Sequence, residues 1–158
     1  MIIIDGNNLL HAVYKIEEDS ISAKAIELCR IVSRYLKLTG QNGEIIFDGA
    51  GPRDKSPFEN IDIPEVFFAG AGSDADTVIE DKIRLDSAPK RLTIVSSDRR
   101  LRKAAHTRKA TAVKSEDFWA EVQKQLSKKR PRPEPKAKSE GISEIETEQW
   151  LDFFGIEQ

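Results

Sequence analysis

Five acidic residues stand where a chain of this kind can do chemistry. Asp5 closes the run Ile2-Ile3-Ile4, Asp48 closes Glu44-Ile45-Ile46-Phe47, and Asp98 follows Arg91 to Ser97, another largely apolar run. Apolar runs without polar alternation predict strands buried on both faces of a parallel sheet. A carboxylate at the carboxyl end of such a strand faces the crevice where open α/β sheets bind ligands. Asp76 and Glu80 lie four residues apart in a segment of helical periodicity, on one face, with β-carbons roughly 5–6 Å apart. If the first and fourth strands are neighbours at the switch point, Asp5 and Asp98 meet, and Asp76 and Glu80 converge on them. Like charges so gathered repel unless a cation lies between them, and hard oxygen ligands without His or Cys select Mg²⁺ or Mn²⁺ over zinc.

Each acid also has an ordinary explanation. Asp74 and Asp76 fall in the first turn of their helix, where acids suit the dipole and Ser73 or Asp74 is a capping residue. Asp98 is placed to cap the next helix, and Asp5 and Asp48 to initiate turns. Joint placement at strand ends weighs for the site. Gly6 is read as the sharp turn out of the first strand, and Asn7 and Asn8 as turn residues offering amide groups. Ser96, Ser97 and Asn8 are candidates for orienting the ligands. Neither His11 nor His106 is placed to serve as a general base.

The elements that must carry these groups follow in order. Residues 11–20 are mixed, a loop or short helix. Ile21 to Leu38 has Ala25, Ile26, Leu28, Cys29, Val32, Tyr35 and Leu36 at helical spacing, Ser20 or Ser22 at its start and Gly40 past its end. The second strand is Glu44–Asp48. Gly49 to Asn60 reads as an exposed loop outside the packed sheet, and Pro64 to Ala69 as the third strand. Helix two places Val78, Ile79, Ile83 and Leu85 on one side. After the fourth strand come a short basic helix, a small strand at Thr111 to Val113, and a helix from Ser115 to Leu126 with Phe118, Val122 and Leu126 inward. Alternating strands and helices predict α/β architecture with a central parallel sheet wound on both faces. Lys128 opens a Pro-rich, basic stretch without apolar periodicity, giving a linker over 127–141. The segment 142–158, with Trp150, Leu151, Phe153 and Phe154, predicts a short amphipathic helix that docks on its own domain or on a protein partner.

Composition narrows the class. The 158 residues carry 25 basic and 27 acidic side chains, so no global field attracts nucleic acid and any binding must come from local clusters. Arg99, Arg100, Arg102 and Lys103 form one directly after Asp98, with Arg108, Lys109 and Lys114 nearby, and Lys128, Lys129, Arg130 and Arg132 another in the linker. Phosphate groups are the natural counterpart of such a border. The single Cys29 excludes an intrachain disulfide and falls among apolar helix positions. No run approaches the apolar length of a membrane span. These features predict a soluble, cytoplasmic protein.

The ordered set I-I-I-D-G-N-N, F-D-G, A-D-T-V-I-E and S-S-D resembles the NYN domain family of PIN-like ribonucleases, its YacP-like branch in particular, over residues 1–126. The resemblance implies a PIN-like three-layer fold and hydrolysis of RNA, as an endonuclease, with Mg²⁺ or Mn²⁺ held by acids. It places Asp5, Asp76, Glu80 and Asp98 as catalytic and metal-binding residues, with Asp48 and Asn8 more peripheral; Asp74 is an addition from the residues themselves. Asn8, Arg99, Arg100, Arg102 and Lys103 are then substrate-binding, and Asp48, Asp74 and Ser97 supporting. The R-R-L-R-K that follows Asp98 departs from the acid- and Gln-bearing stretch common in related sequences, which bears on substrate preference. Two rivals remain: a PIN-like module that binds RNA without cutting it, and a phosphoryl-accepting switch, disfavoured by the lack of a glycine-rich phosphate loop.

Overall fold

Residue parity along the strands decides which helices lie on which side. A computed structural model describes residues 1–14 and 20–128. It forms a five-stranded, all-parallel sheet in the order β3-β2-β1-β4-β5, from β1 (Ile2–Asp5), β2 (Gly43–Phe47), β3 (Glu65–Phe68), β4 (Thr93–Val95) and β5 (Thr111–Val113). Because neighbouring side chains on a strand point to opposite faces, Ile2, Ile4, Ile45, Phe47 and Val95 fill one core while Ile3, Ile46 and Ile94 fill the other. The first core is closed by α1 (Gly6–Val13), α2 (Ile21–Thr39) and α6 (Ser115–Lys128), the second by α4 (Ala75–Leu85) and α5 (Arg99–Thr107). A three-layer α/β fold with a central parallel sheet results, as the alternation of elements predicts.

The expected helix α2 buries Leu28, Cys29, Val32 and Leu36, ends at Gly40 in left-handed conformation (φ 68°), and begins after Ser20, whose side chain makes no capping bond. Cys29 is packed in the core as expected. In α4, Ala75, Ile79 and Ile83 form an i, i+4, i+8 stripe. Leu85 lies two positions beyond the last of these, about 200° further round, and is 70% exposed, so it does not share the inward side expected of it.

Two segments read as irregular are helical. Gly6, Asn7 and Asn8 are not a turn but the first turn of α1, capped by Asp5 and anchored by the buried Leu9 and Leu10. Gly6 is required by contact: a β-carbon there would meet the Phe47 ring at 2.6 Å and the Ile46 carbonyl oxygen at 2.9 Å. Within the supposed exposed loop, Ser56–Glu59 forms the short α3, with Pro57 in its first turn. Its Phe58 is buried against Phe68 and Phe47, at ring-centroid distances of 5.2 and 6.2 Å. One aromatic thus ties this segment to the core.

The linker expected from residue 127 begins two residues inside α6, and the remainder, with the C-terminal helix expected over 142–158, lies outside the described residues.

Candidate functional site

The chain runs outward from β1 through β2 to β3, then returns to β4 beside β1. Winding reverses at that pair, and the crevice over their carboxyl ends receives Asp5 from β1 and Asp98 from the turn after β4. Asp48 arrives from the end of β2 and Asp76 from the first turn of α4.

Asp5 is 5% exposed. Its Oδ1 accepts from the Asn8 backbone N–H at 3.3 Å and its Oδ2 from the Ser96 hydroxyl at 3.1 Å. Those bonds favour the ionised form, but burial outweighs them, and the charges of Asp76 and Asp48 add to it, raising the carboxyl from 3.8 to about 6. Asp76 is also raised, first by burial, then by the charges of Asp98 and Asp74, with Arg100 opposing. Asp5 thus feels the charges of Asp76 and Asp48, and Asp76 those of Asp98 and Asp74.

The ordinary roles hold at the same time. Asp5 caps α1, Asp74 caps α4 through Thr77 N–H at 2.8 Å, and Asp98 caps α5 through Arg100 N–H at 2.7 Å. Asp48 Oδ1 accepts from Ala75 N–H at 2.7 Å, which fixes the start of α4 over the end of β2. Capping uses one oxygen of each carboxylate and leaves lone pairs open, since an ionised carboxylate offers about four acceptor sites.

Glu80 does not join the inner group. Arg100 holds it by a two-point pair, Nε to Oε2 at 2.8 Å and Nη2 to Oε1 at 2.6 Å, which pulls the Glu80 carboxyl below its ordinary value and raises the guanidinium. Glu80 and Asp76 share a helical face as expected, but a cation on α5 already serves Glu80.

Both asparagines act as clamps. Asn7 Oδ1 accepts from Asp48 N–H at 2.7 Å, binding α1 to the end of β2. Asn8 Oδ1 accepts from Ser97 N–H at 2.9 Å and from the Ser115 hydroxyl at 2.5 Å, binding α1 to the end of β4 and the start of α6. Ser96 donates to Asp5 and accepts from Asp98 N–H at 3.1 Å, so one hydroxyl joins two acids. Ser97 Oγ accepts from Ser115 N–H at 3.0 Å and donates to Glu116 Oε1 at 2.7 Å. Ser115 and Glu116 are the positioning residues that sequence reasoning missed; Asn7 was expected as a turn residue offering its amide, and the amide oxygen is indeed what it uses, from within a helix.

Of the basic residues, Arg99, Arg100 and Lys103 are exposed on α5, whereas Arg102 is half-buried and its Nη1 lacks a hydrogen-bond partner. His11 and His106 lie exposed on helices.

In donor chemistry and charge, Asp5, Asp76 and Asp98 fit a hard divalent cation: all offer oxygen, and burial, with repulsion from neighbouring acids added to it, raises Asp5 and Asp76. Among the described residues, no three acid, histidine or cysteine side chains stand close enough to one point to hold a metal ion.

Residues 2–152 match the profile of the YacP-like NYN domain. Among solved structures, Rae1 (YacP) from Bacillus subtilis is similar, with TM-score 0.70 and 18% identity over 94% of this chain and 83% of that one. A mutant form of the same protein gives TM-score 0.65 and 18% identity over 97% and 91%. At that identity the likeness speaks for the fold. No curated protein sequence matches the chain.

Proposed function

The chain belongs to the YacP-like NYN domain family, and from that membership and the acids at its strand ends we propose that it is a divalent-metal-dependent ribonuclease that cuts RNA internally. The observation that supports this reading is the gathering of Asp5, Asp76 and Asp98 over the carboxyl ends of β1 and β4, where Ser96 bridges Asp5 and the Asp98 N–H and Asp76 lies close enough to raise Asp5. Such an arrangement costs stability and has an evident use only when a cation is taken up.

Asp5 and Asp98 are the primary ligands for Mg²⁺ or Mn²⁺, and Asp76 completes the set directly or through water. Bound there, the ion lowers the pKa of water and stabilises charge on the leaving oxygen of a phosphodiester. Around it, Asn7 and Asn8 hold the strand ends together, Ser96 fixes the relation of Asp5 to Asp98, and Asp48 sets α4 at the distance that presents Asp76. Glu80 contributes when Arg100 leaves it for a phosphate. Arg99, Arg100, Arg102 and Lys103 hold the RNA backbone beside the acids, where contacts position the strand without reading its sequence.

One observation favours a second reading, an RNA-binding module without catalysis: among the described residues the acids do not converge at ligating distance, and Arg100 occupies Glu80. Cleavage of single-stranded, structured and circular RNA with Mg²⁺, with Mn²⁺ and with EDTA separates the two, since only an endonuclease opens a circle. We expect divalent-dependent cutting, lowered roughly 10²-fold or more by Asp5→Asn and by Asp98→Asn, about 3 kcal/mol of lost barrier lowering. Activity that survives both substitutions overturns the metal mechanism, and no cutting by the wild type under any ion favours the binding module.

A further inference from the structure

Arg100 faces two ways, and its second surroundings extend the site. Besides pairing with Glu80 and acting on Asp76, it lines a groove of about 650 Å³ between α4 and α5. That volume is within the range of ligand clefts. Its apolar lining comes from the half-buried Ala104, with Ile83 only 1% exposed, and its walls carry four cations, Arg84, Arg100, Lys103 and Arg108, against two carboxylates, Glu80 and Asp81. From Arg100 to Arg108 the α5 side of the groove extends roughly 12 Å along the helix.

Arg100 is paired with Glu80, but the other three cations are only lightly committed. Arg84 pairs with Asp81 on the open surface, its side chain 67% exposed; Arg108 donates to the Asp86 carbonyl; and Lys103 is exposed and forms no ion pair among the described residues. A polyanion can draw on all four without breaking the fold. Glu80 lies one helical turn from Asp76 and Arg100 two residues after Asp98, so this end of the groove borders the acid crevice, although Asp5, Asp76 and Asp98 do not line it.

Building on the ribonuclease reading, we propose that the α4–α5 groove is the path by which single-stranded RNA leaves the acid site, its phosphates held by Arg84, Lys103 and Arg108 and its ribose and base faces lying against the half-buried Ala104. An apolar lining between cationic walls suits a single strand, whose bases and phosphates both need partners, better than a duplex with its bases enclosed. Arg100 at the mouth then exchanges Glu80 for the phosphate nearest the acids.

The test is fluorescence anisotropy of a labelled single-stranded RNA in EDTA, where binding is read without cutting, repeated over a range of salt, with cleavage measured in parallel in Mn²⁺. Each phosphate contact contributes about −0.7 to the slope of log affinity against log salt for a single strand. Arg84→Gln with Lys103→Gln should lower the slope's magnitude by about 1.4 and weaken binding several-fold, while Lys124→Gln, exposed on α6 across the sheet, should change neither. Both positions in the double variant are exposed, so its melting temperature should match the wild type. Unchanged slope and affinity in the double variant, absence of RNA binding by the wild type, or preferential binding of polyglutamate would overturn the groove. If the wild type cuts RNA but the double variant binds normally, the groove alone fails. If the double variant loses binding but the wild type cuts nothing, the groove stands and the nuclease reading falls.

Discussion

Asp5→Asn should stabilise the metal-free protein at neutral pH while abolishing its activity. The carboxyl of Asp5 is raised from 3.8 to about 6, chiefly by burial. Between those values the folded state holds a proton that the unfolded state has released, so stability falls as pH rises, the reverse of a salt-bridged carboxylate. Above about pH 6 both states are ionised and the full cost is present, about 3 kcal/mol at 1.36 kcal/mol per pH unit. Asparagine removes the charge but keeps the shape. Its carbonyl oxygen still accepts from Asn8 N–H, while its amide faces the Ser96 hydroxyl, which must then accept instead of donate. That exchange costs about 1 kcal/mol. The net gain is about 2 kcal/mol at pH 8, roughly 4–8 °C in melting temperature for a chain of this size. Near pH 4, where wild-type Asp5 is protonated in the folded state, the gain vanishes and the variant is slightly the weaker. Urea and thermal unfolding in EDTA at pH 4, 6 and 8 reads this crossing. A variant no more stable than wild type at pH 8 refutes the burial argument. Added Mg²⁺ extends the test: an ion at 100 times its Kd stabilises by about 2.7 kcal/mol, and that increment should appear in the wild type and be missing from the variant.

Gly6→Ala puts a methyl group 2.6 Å from the Phe47 ring and 2.9 Å from the Ile46 carbonyl oxygen, and should cost about 1–3 kcal/mol of overpacking, read from the urea midpoint. Asn8→Ala leaves Ser97 N–H and the Ser115 hydroxyl without their shared acceptor, and should cost about 1–3 kcal/mol, again by urea unfolding; an unchanged midpoint refutes the clamp.

The sheet was legible because a buried parallel strand leaves a plain mark, an apolar run closed by an acid, and Asp5, Asp48 and Asp98 all stand at such closures. The order of strands β1 and β4 followed from the switch-point rule. The first helix was not legible, since Gly6, Asn7 and Asn8 all have poor helix propensity. Tertiary contacts override it: Asp5 caps the turn, Leu9 and Leu10 are buried, and each asparagine carbonyl has a partner on a neighbouring strand end. Those partners are 41 and 89 residues away, beyond any local spacing rule. Phe58 was hidden for a similar reason. A lone aromatic among glycines, prolines and charges has no periodicity, and its burial depends on Phe47 and Phe68 stacking beneath it.

Glu80 shows where a correct spacing argument stops short. Its four-residue separation from Asp76 does put both on one face of α4, but α5 packs against that helix and starts directly after Asp98, so the second residue of α5, Arg100, reaches Glu80. Whatever fixes Asp98 beside Asp5 also brings Arg100 to the edge of the site. The acids are thereby sorted by surroundings: Glu80 is held below its ordinary value by a guanidinium, while Asp5 is held above its own by burial and then Asp76, and Asp76 by burial and then Asp98 and Asp74. A divalent cation gains most where carboxylates are destabilised in its absence and least where a cation is already paired. Asp5 and Asp76 are therefore the acids whose charge a metal would relieve, and Glu80 becomes a ligand only to the extent that RNA takes Arg100 away from it.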